Sequence, residues 1–275
     1  MGLNLVRLKK IQIDLERKCR EEQRKNLTRE LIELVLDNDL KKSFQEEASR
    51  VNSEQSRRVQ SYWVKKGIIK PQEREKDGGW FYFDRTESIW IDIVTQLREF
   101  GLDLDKILKV REVLFSEEVK DFKVIDFCLI HSILKEPYLM IVYSDGKVGL
   151  MTAKQYGEII SQQEQPPHIV FSFYFLAKNI FPNNNFEIGQ KDFNTIDLSS
   201  AETKLLFYLR TGDYQEIKVR LSDGEVYLIE TERKIDPKDR IVDIIQNAKY
   251  QDIEIKVEND HIVYIKSTEK IRIKN

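Results

Sequence analysis

The sequence predicts an α+β protein of several domains: a helical N-terminal arm, a compact head, a small α+β middle unit and a C-terminal α-β-β-α-β-β domain. Three observations predict it. Apolar residues recur at spacings of three and four through most of the first half, as at Leu8, Ile11, Leu15 and Cys19. After Tyr138 the period falls to two, and Asp-Gly turns at Ser144-Asp145-Gly146-Lys147 and Ser222-Asp223-Gly224 mark hairpins. Beyond residue 198 a helix followed by two strands occurs twice, an order that suits one sheet with its helices on a single face.

The arm covers residues 1–39. An amphipathic helix over 4–24 stops at Asn26-Leu27-Thr28, and Thr28 is placed to cap a second helix carrying Leu31, Leu34 and Val35. These helices either brace the domain that follows or bind a partner. The head spans 40–117. Its first helix, 40–51, has Phe44, Ala48 and Val51 as its apolar face, and Asn52-Ser53-Glu54-Gln55 form the turn. Ser56 is positioned as N-cap of a helix over 57–66, which is basic through Arg57, Arg58, Lys65 and Lys66 and has Val59, Tyr62 and Trp63 on its core side. Gly67 suits a left-handed helix stop, and Ile68 and Ile69 return the chain to the core. Pro71 opens an extended arm, Lys76-Asp77-Gly78-Gly79 turns it, and Trp80-Phe81-Tyr82-Phe83 is the return strand. Asp84 and Glu87 are spaced as a capping pair for a helix lined by Ile89, Ile93, Leu97 and Phe100. Gly101 ends that helix, and Leu104, Ile107, Leu108 and Leu114 carry the next.

The middle unit is assigned to 118–182. It comprises a helix over 118–134 with Phe122, Ile125, Leu129 and Ile133 inward, strands at 138–143 and 148–151, a helix at 153–162 and a strand at 168–175. A polar linker at 183–198 begins with Asn183-Asn184-Asn185. The C-terminal domain, 199–275, starts with a helix over 200–210 with Leu205, Leu206 and Leu209 inward. A hairpin (217–221 and 226–229), a helix (236–249) and a second hairpin (253–257 and 262–265) complete it.

The run Ser56, Arg58, Tyr62, Trp63, Gly67, Ile68, Ile69, Pro71 and Arg74 resembles the DNA-binding head of MerR-type winged helix-turn-helix regulators. Gly79-Trp80, Phe83, Leu97, Gly101, Leu102, Leu104 and Ile107 continue the resemblance in the family's order. Gln60, Ser61, Val64 and Phe81 depart from it, and Ser61 and Phe81 stand where the family has arginines. Nothing beyond residue 115 resembles a MerR effector domain, and the family's long dimerising helix is not evident in 118–134.

The resemblance implies a winged helix-turn-helix head that binds double-stranded DNA. Its second helix would lie in the major groove, with Ser56 at its start and Arg57 and Arg58 near base edges or phosphates. Tyr62 would offer its hydroxyl to a phosphate, Lys65 and Lys66 would neutralise backbone charge, and Arg74 and Lys76 on the wing would follow the neighbouring strand. A transcription regulator with accessory effector- or partner-binding domains is the leading expectation. An accessory factor of recombination or of a mobile element is the second. A protein-interaction module on a degenerate winged scaffold, without DNA, is the third, and the two missing arginines favour it.

Composition limits the other classes. The 275 residues are 33% charged yet carry a net charge of only −2, so any affinity for nucleic acid has to come from a local patch. Cys19 and Cys128 are too far apart to suggest a ligand pair, and with no secretory or membrane-spanning pattern they fit a cytoplasmic protein with free thiols. No phosphate loop, nucleophile elbow or ligand-spaced histidine pair occurs; His131, His168 and His261 are scattered. Aspartates and glutamates all read as solvated faces or turns. No enzyme, metal or cofactor is expected, and a homodimer and an unidentified effector or protein partner stay open beside DNA.

Overall fold

In a computed structural model of the chain, the described residues are 40, 43–44, 56–72, 81–119, 122–162, 165–181, 183–186, 199–222, 225–235, 251–258 and 261–272. Seven helices and nine strands lie among them, and every ladder is antiparallel, so the α+β class holds. The two arm helices, the 45–55 segment, the wing tip with Arg74, Lys76 and Trp80, most of the 183–198 linker and the 236–249 helix fall outside the described residues. The chain divides into two units, Met1–His131 with Pro137–Phe173 and Ser132–Glu136 with Tyr174–Asn275.

In the first unit, α1 (Arg57–Lys65), α2 (Arg85–Glu99) and α3 (Leu104–Leu114) form at the expected places. Two of them end identically. After α1 the amide of Ile68 donates to Trp63 O and that of Gly67 to Val64 O; after α2, Leu102 donates to Leu97 O and Gly101 to Arg98 O. Each is a Schellman stop, and Gly67 and Gly101 take the left-handed φ it needs, 71° and 84°. Phe44, Trp63, Ile68, Ile69, Phe83, Trp90 and the α2 stripe Ile89, Ile93 and Leu97 are buried. Phe100 is not: it is 66% exposed, because the chain reverses at Gly101 and turns it away from the core.

The expected helix over 118–134 begins later. β1 (Glu117–Val119) and β2 (Phe122–Lys123) form a short ladder, and α4 (Val124–Leu134) follows with all eleven of its residues buried. A helix buried on every side has no apolar stripe to mark its start. β3 (Tyr138–Tyr143) is the centre of a three-stranded sheet in the order β4-β3-β5, with β4 (Val148–Thr152) and β5 (His168–Ser172) at its sides. α5 (Ala153–Gln162) covers it, placing Tyr156 and Ile159 against Leu139, Ile141 and Met151. The strand expected over 168–175 stops at Ser172, and Phe173–Ile180 is a helix, α6. Its buried residues Phe173, Leu176, Ala177 and, just past its end, Phe181 keep helical spacing, which outweighs the strand preference of Phe173-Tyr174-Phe175.

In the second unit, Ser199 caps α7 (Ser200–Thr211) through a full capping box with Glu202. Of the leucines expected inward, Leu206 is buried, Leu205 half-buried and Leu209 exposed; the filled side instead holds Phe207, Tyr208 and Arg210. Arg210, fully buried, donates to the main-chain oxygens of Ile133 and Leu134. Those carbonyls close α4 and carry the negative end of its dipole, which suits a cation. Aromatic rings pack edge to face along Phe186, Phe181, Phe207, Tyr208 and Tyr214.

The strands β6 (Glu216–Ser222), β7 (Glu225–Ile235), β8 (Gln251–Glu258) and β9 (His261–Arg272) form one sheet in the order β6-β7-β9-β8. One face buries Ile229, Thr231, Ile265, Ser267 and Ile271 at alternate positions. The other is a lattice of opposite charges, with Arg220–Glu230 at 3.3 Å, Lys266–Glu232 at 2.6 Å and Lys270–Asp252 at 2.7 Å.

Candidate nucleic-acid interface

Between Ser56 and Gln72 the chain carries five basic side chains and no acidic one. Arg57, Arg58, Lys65, Lys66 and Lys70 are all exposed, as is Ser56. At about 100° per residue, positions 57, 61, 65, 58, 62 and 66 occupy one contiguous half of α1, and Trp63 points the other way into the core. Tyr62, expected on the core side, is 49% exposed and lies beside Lys66, whose Nζ is 5.9 Å from its ring centre. Lys70, just past the helix, extends the basic run and is not among the residues that the resemblance implies. Arg74 and Lys76 lie outside the described residues.

The start of α1 sets cations against its own helix dipole. Ser56 holds the N-cap backbone conformation, yet its side chain makes no capping hydrogen bond, contrary to expectation. Two cations then occupy the first turn with no acidic residue, against the positive end of the helix dipole. Local stability would favour the reverse arrangement.

The helix is held from behind. Trp90 Nε1 donates to Ile68 O at 2.6 Å, and the Lys70 amide donates to Glu87 Oε1 at 2.6 Å. Arg111 grips the same carboxylate with two bonds, 2.8 and 3.1 Å, and its guanidinium lies 3.9 Å from the ring centre of Phe115. One carboxylate therefore fixes the exit from α1 to both α2 and α3. Glu87 and Asp126 are buried, the latter accepting from Thr86 Oγ1 at 2.6 Å, so the view of every carboxylate as solvated is corrected. The expected capping pair works in one direction: Asp84 accepts from the Glu87 amide at 2.6 Å, while the Glu87 side chain turns to Lys70 and Arg111. Burial raises both carboxyls above their ordinary range, with Lys123 pulling back on Asp84 and Arg111 on Glu87.

Across from α1 the chain returns on itself where a wing is expected. The Gln72 amide donates to Tyr82 O at 2.9 Å, and Phe83 forms a single bridge with its ring buried. Residues 73–80 lie between these points, outside the described residues.

His131 and His168 occupy ordinary packing positions. His131 is buried against Phe127 and Tyr138; His168 accepts at Nε2 from the Tyr156 hydroxyl at 2.8 Å while Nδ1 donates to Pro166 O at 2.7 Å; His261 opens β9. Cys128 is buried, and its thiol is pushed well up by desolvation and then by Asp126. Among the described residues no helix is long and apolar enough to cross a membrane. Comparison with protein-family models, with curated proteins and with solved structures finds no match to this chain.

Proposed function

We propose that the chain is a sequence-specific DNA-binding protein, built on a winged helix-turn-helix head of MerR type and acting as a transcription regulator. The observation that carries this reading is the exposed basic half of α1, backed by Trp63 and anchored through Ile68 and Lys70. Two arginines at an uncapped helix start weaken the free protein slightly and suit a phosphate, which accepts hydrogen bonds and complements the dipole. In the groove, Arg57 and Arg58 reach base edges or the adjoining backbone, and Tyr62, Lys65, Lys66 and Lys70 bind phosphates. A protein-interaction module without DNA is the competing reading, supported by Ser61 and Phe81 in place of two family arginines.

Fluorescence anisotropy with mixed-sequence duplex at low salt tests the choice. The parent chain is expected to bind, and Arg57→Ala/Arg58→Ala to weaken binding by about 1–3 kcal/mol for each arginine that reads a base edge. No binding by the parent chain leaves only the interaction module. Selection from a random duplex pool then reads out the site.

A further inference from the structure

We propose that the β8 edge of the C-terminal sheet is the surface on which two copies of this chain pair, strand to strand, about a two-fold axis at Ile255. Among the described strands β8 has one neighbour, β9, and the proposed pairing uses the main-chain donors and acceptors of its other side. Natural edges are usually blunted by charge, shortness or bulges; β8 is eight residues long and alternates charged with apolar side chains, and the register of its ladder with β9 shifts between Lys256 and Val257. Ile255 and Val257 are 37% and 58% exposed, alternating with exposed Glu254 and Lys256.

The order of side chains along β8 is what identifies the occupant. Laid antiparallel to a second copy of itself with Ile255 opposite Ile255, the strand sets Glu254 against Lys256 twice and Ile253 against Val257 twice. Charged pairs fall on one face and apolar pairs on the other, each matched to its own kind of neighbour. Asp252 against Glu258, also twice, is like-charged and falls toward the ends of the strand, and Asp252 already has Lys270 at 2.7 Å within its own sheet.

The opposite edge, β6, matches itself only over its first three residues, where Ile217 opposite Ile217 sets Glu216 against Lys218. Centred on Val219 it opposes Lys218 to Arg220, and centred on Lys218 it opposes that lysine to itself. Joining β6 of one copy to β8 of the next is a head-to-tail contact, which does not close at two copies. A second copy on β8 is therefore the occupant that satisfies charge, apolar matching and closure together. A single pair of edges is a small interface, so association belongs in the micromolar range.

Sedimentation of the full chain over a concentration series, without DNA, tests the proposal apart from the duplex-binding reading. The parent chain is expected to show a reversible monomer–dimer equilibrium. Glu254→Lys sets lysine against lysine and should raise the dimer dissociation constant about tenfold, while Glu254→Lys/Lys256→Glu restores opposite pairs and the parent value. Ile255→Cys should form a disulfide-linked dimer on mild oxidation beyond any seen for the parent chain, since facing Cβ atoms across such a pair are about 5 Å apart. Circular dichroism and melting curves confirm that each variant is folded. A parent chain that stays monomeric throughout, or a dimer indifferent to Glu254→Lys with no crosslink through position 255, overturns the assignment.

Discussion

Replacing Arg111 by methionine would leave the Glu87 carboxylate, 4% exposed, holding the Lys70 amide but without its counter-ion. Stranding one member of a buried pair costs about 3–5 kcal/mol, and urea unfolding of Arg111→Met should show a decrease of that order. The pH dependence has a definite sign. Burial raises the native carboxyl above the ordinary 4.5, so from pH 4.5 up to the native value the folded state keeps a proton that the unfolded chain has released. Stability from this group is greatest below that window and falls as pH rises through it. Without Arg111 the window extends upward, so the deficit of the variant should grow with pH when urea midpoints are compared between about pH 4 and 7. Glu87 also shows why the scaffold behind α1 was not legible in the sequence. Its spacing from Asp84 is that of a capping pair, and nothing local says that its partner is an arginine on the next helix.

Four glycines among the described residues are left-handed, and they separate two kinds of requirement. An added Cβ at Gly67 or Gly101 meets nothing within 4 Å, so alanine there carries only the conformational cost of a left-handed residue, roughly 1–2 kcal/mol. At Gly146, with φ of 83°, the same atom comes within 3.0 Å of the Lys106 main-chain oxygen; at Gly212 it overlaps the main chain of Asn183. Thermal melts should therefore rank Gly146→Ala and Gly212→Ala well below Gly67→Ala and Gly101→Ala. Elements bounded by such turns were the legible ones: α1, α2, α3 and the β3–β4 hairpin lie where period and glycine place them. Elements without a clear period were not. α4 is buried all round, polar Asp126, His131 and Ser132 included, so no apolar stripe marks its first residue. The aromatic run opening α6 has the local preference of a strand, and only the spacing of Phe173, Leu176, Ala177 and Phe181 makes it helical.

Over the whole molecule, 45 basic and 47 acidic residues nearly cancel, so the proposed duplex binding would draw on local patches such as the basic half of α1 and not on net charge. Each phosphate neutralised contributes about −0.9 to the slope of log affinity against log salt concentration, so the proposed contacts set a slope from roughly −2.7 for Lys65, Lys66 and Lys70 alone to roughly −4.5 if both arginines also neutralise phosphates. Arg57→Ala/Arg58→Ala should flatten it by about 1 for each arginine that touches a phosphate. An affinity indifferent to ionic strength would contradict the phosphate role given to these residues. That local patch was the most legible part of the candidate site, because a basic run uninterrupted by any acidic residue from Ser56 to Gln72 is visible without tertiary information. Its orientation was not, since it depends on distant residues meeting. The grip of Glu87 on the Lys70 amide has a consequence for recognition itself. On the proposed reading, a helix whose exit is bolted to two others meets a duplex with its tilt already chosen. In the proposed complex the duplex would then have only side chains to order, and discrimination between sites would fall to how far each sequence bends toward that helix.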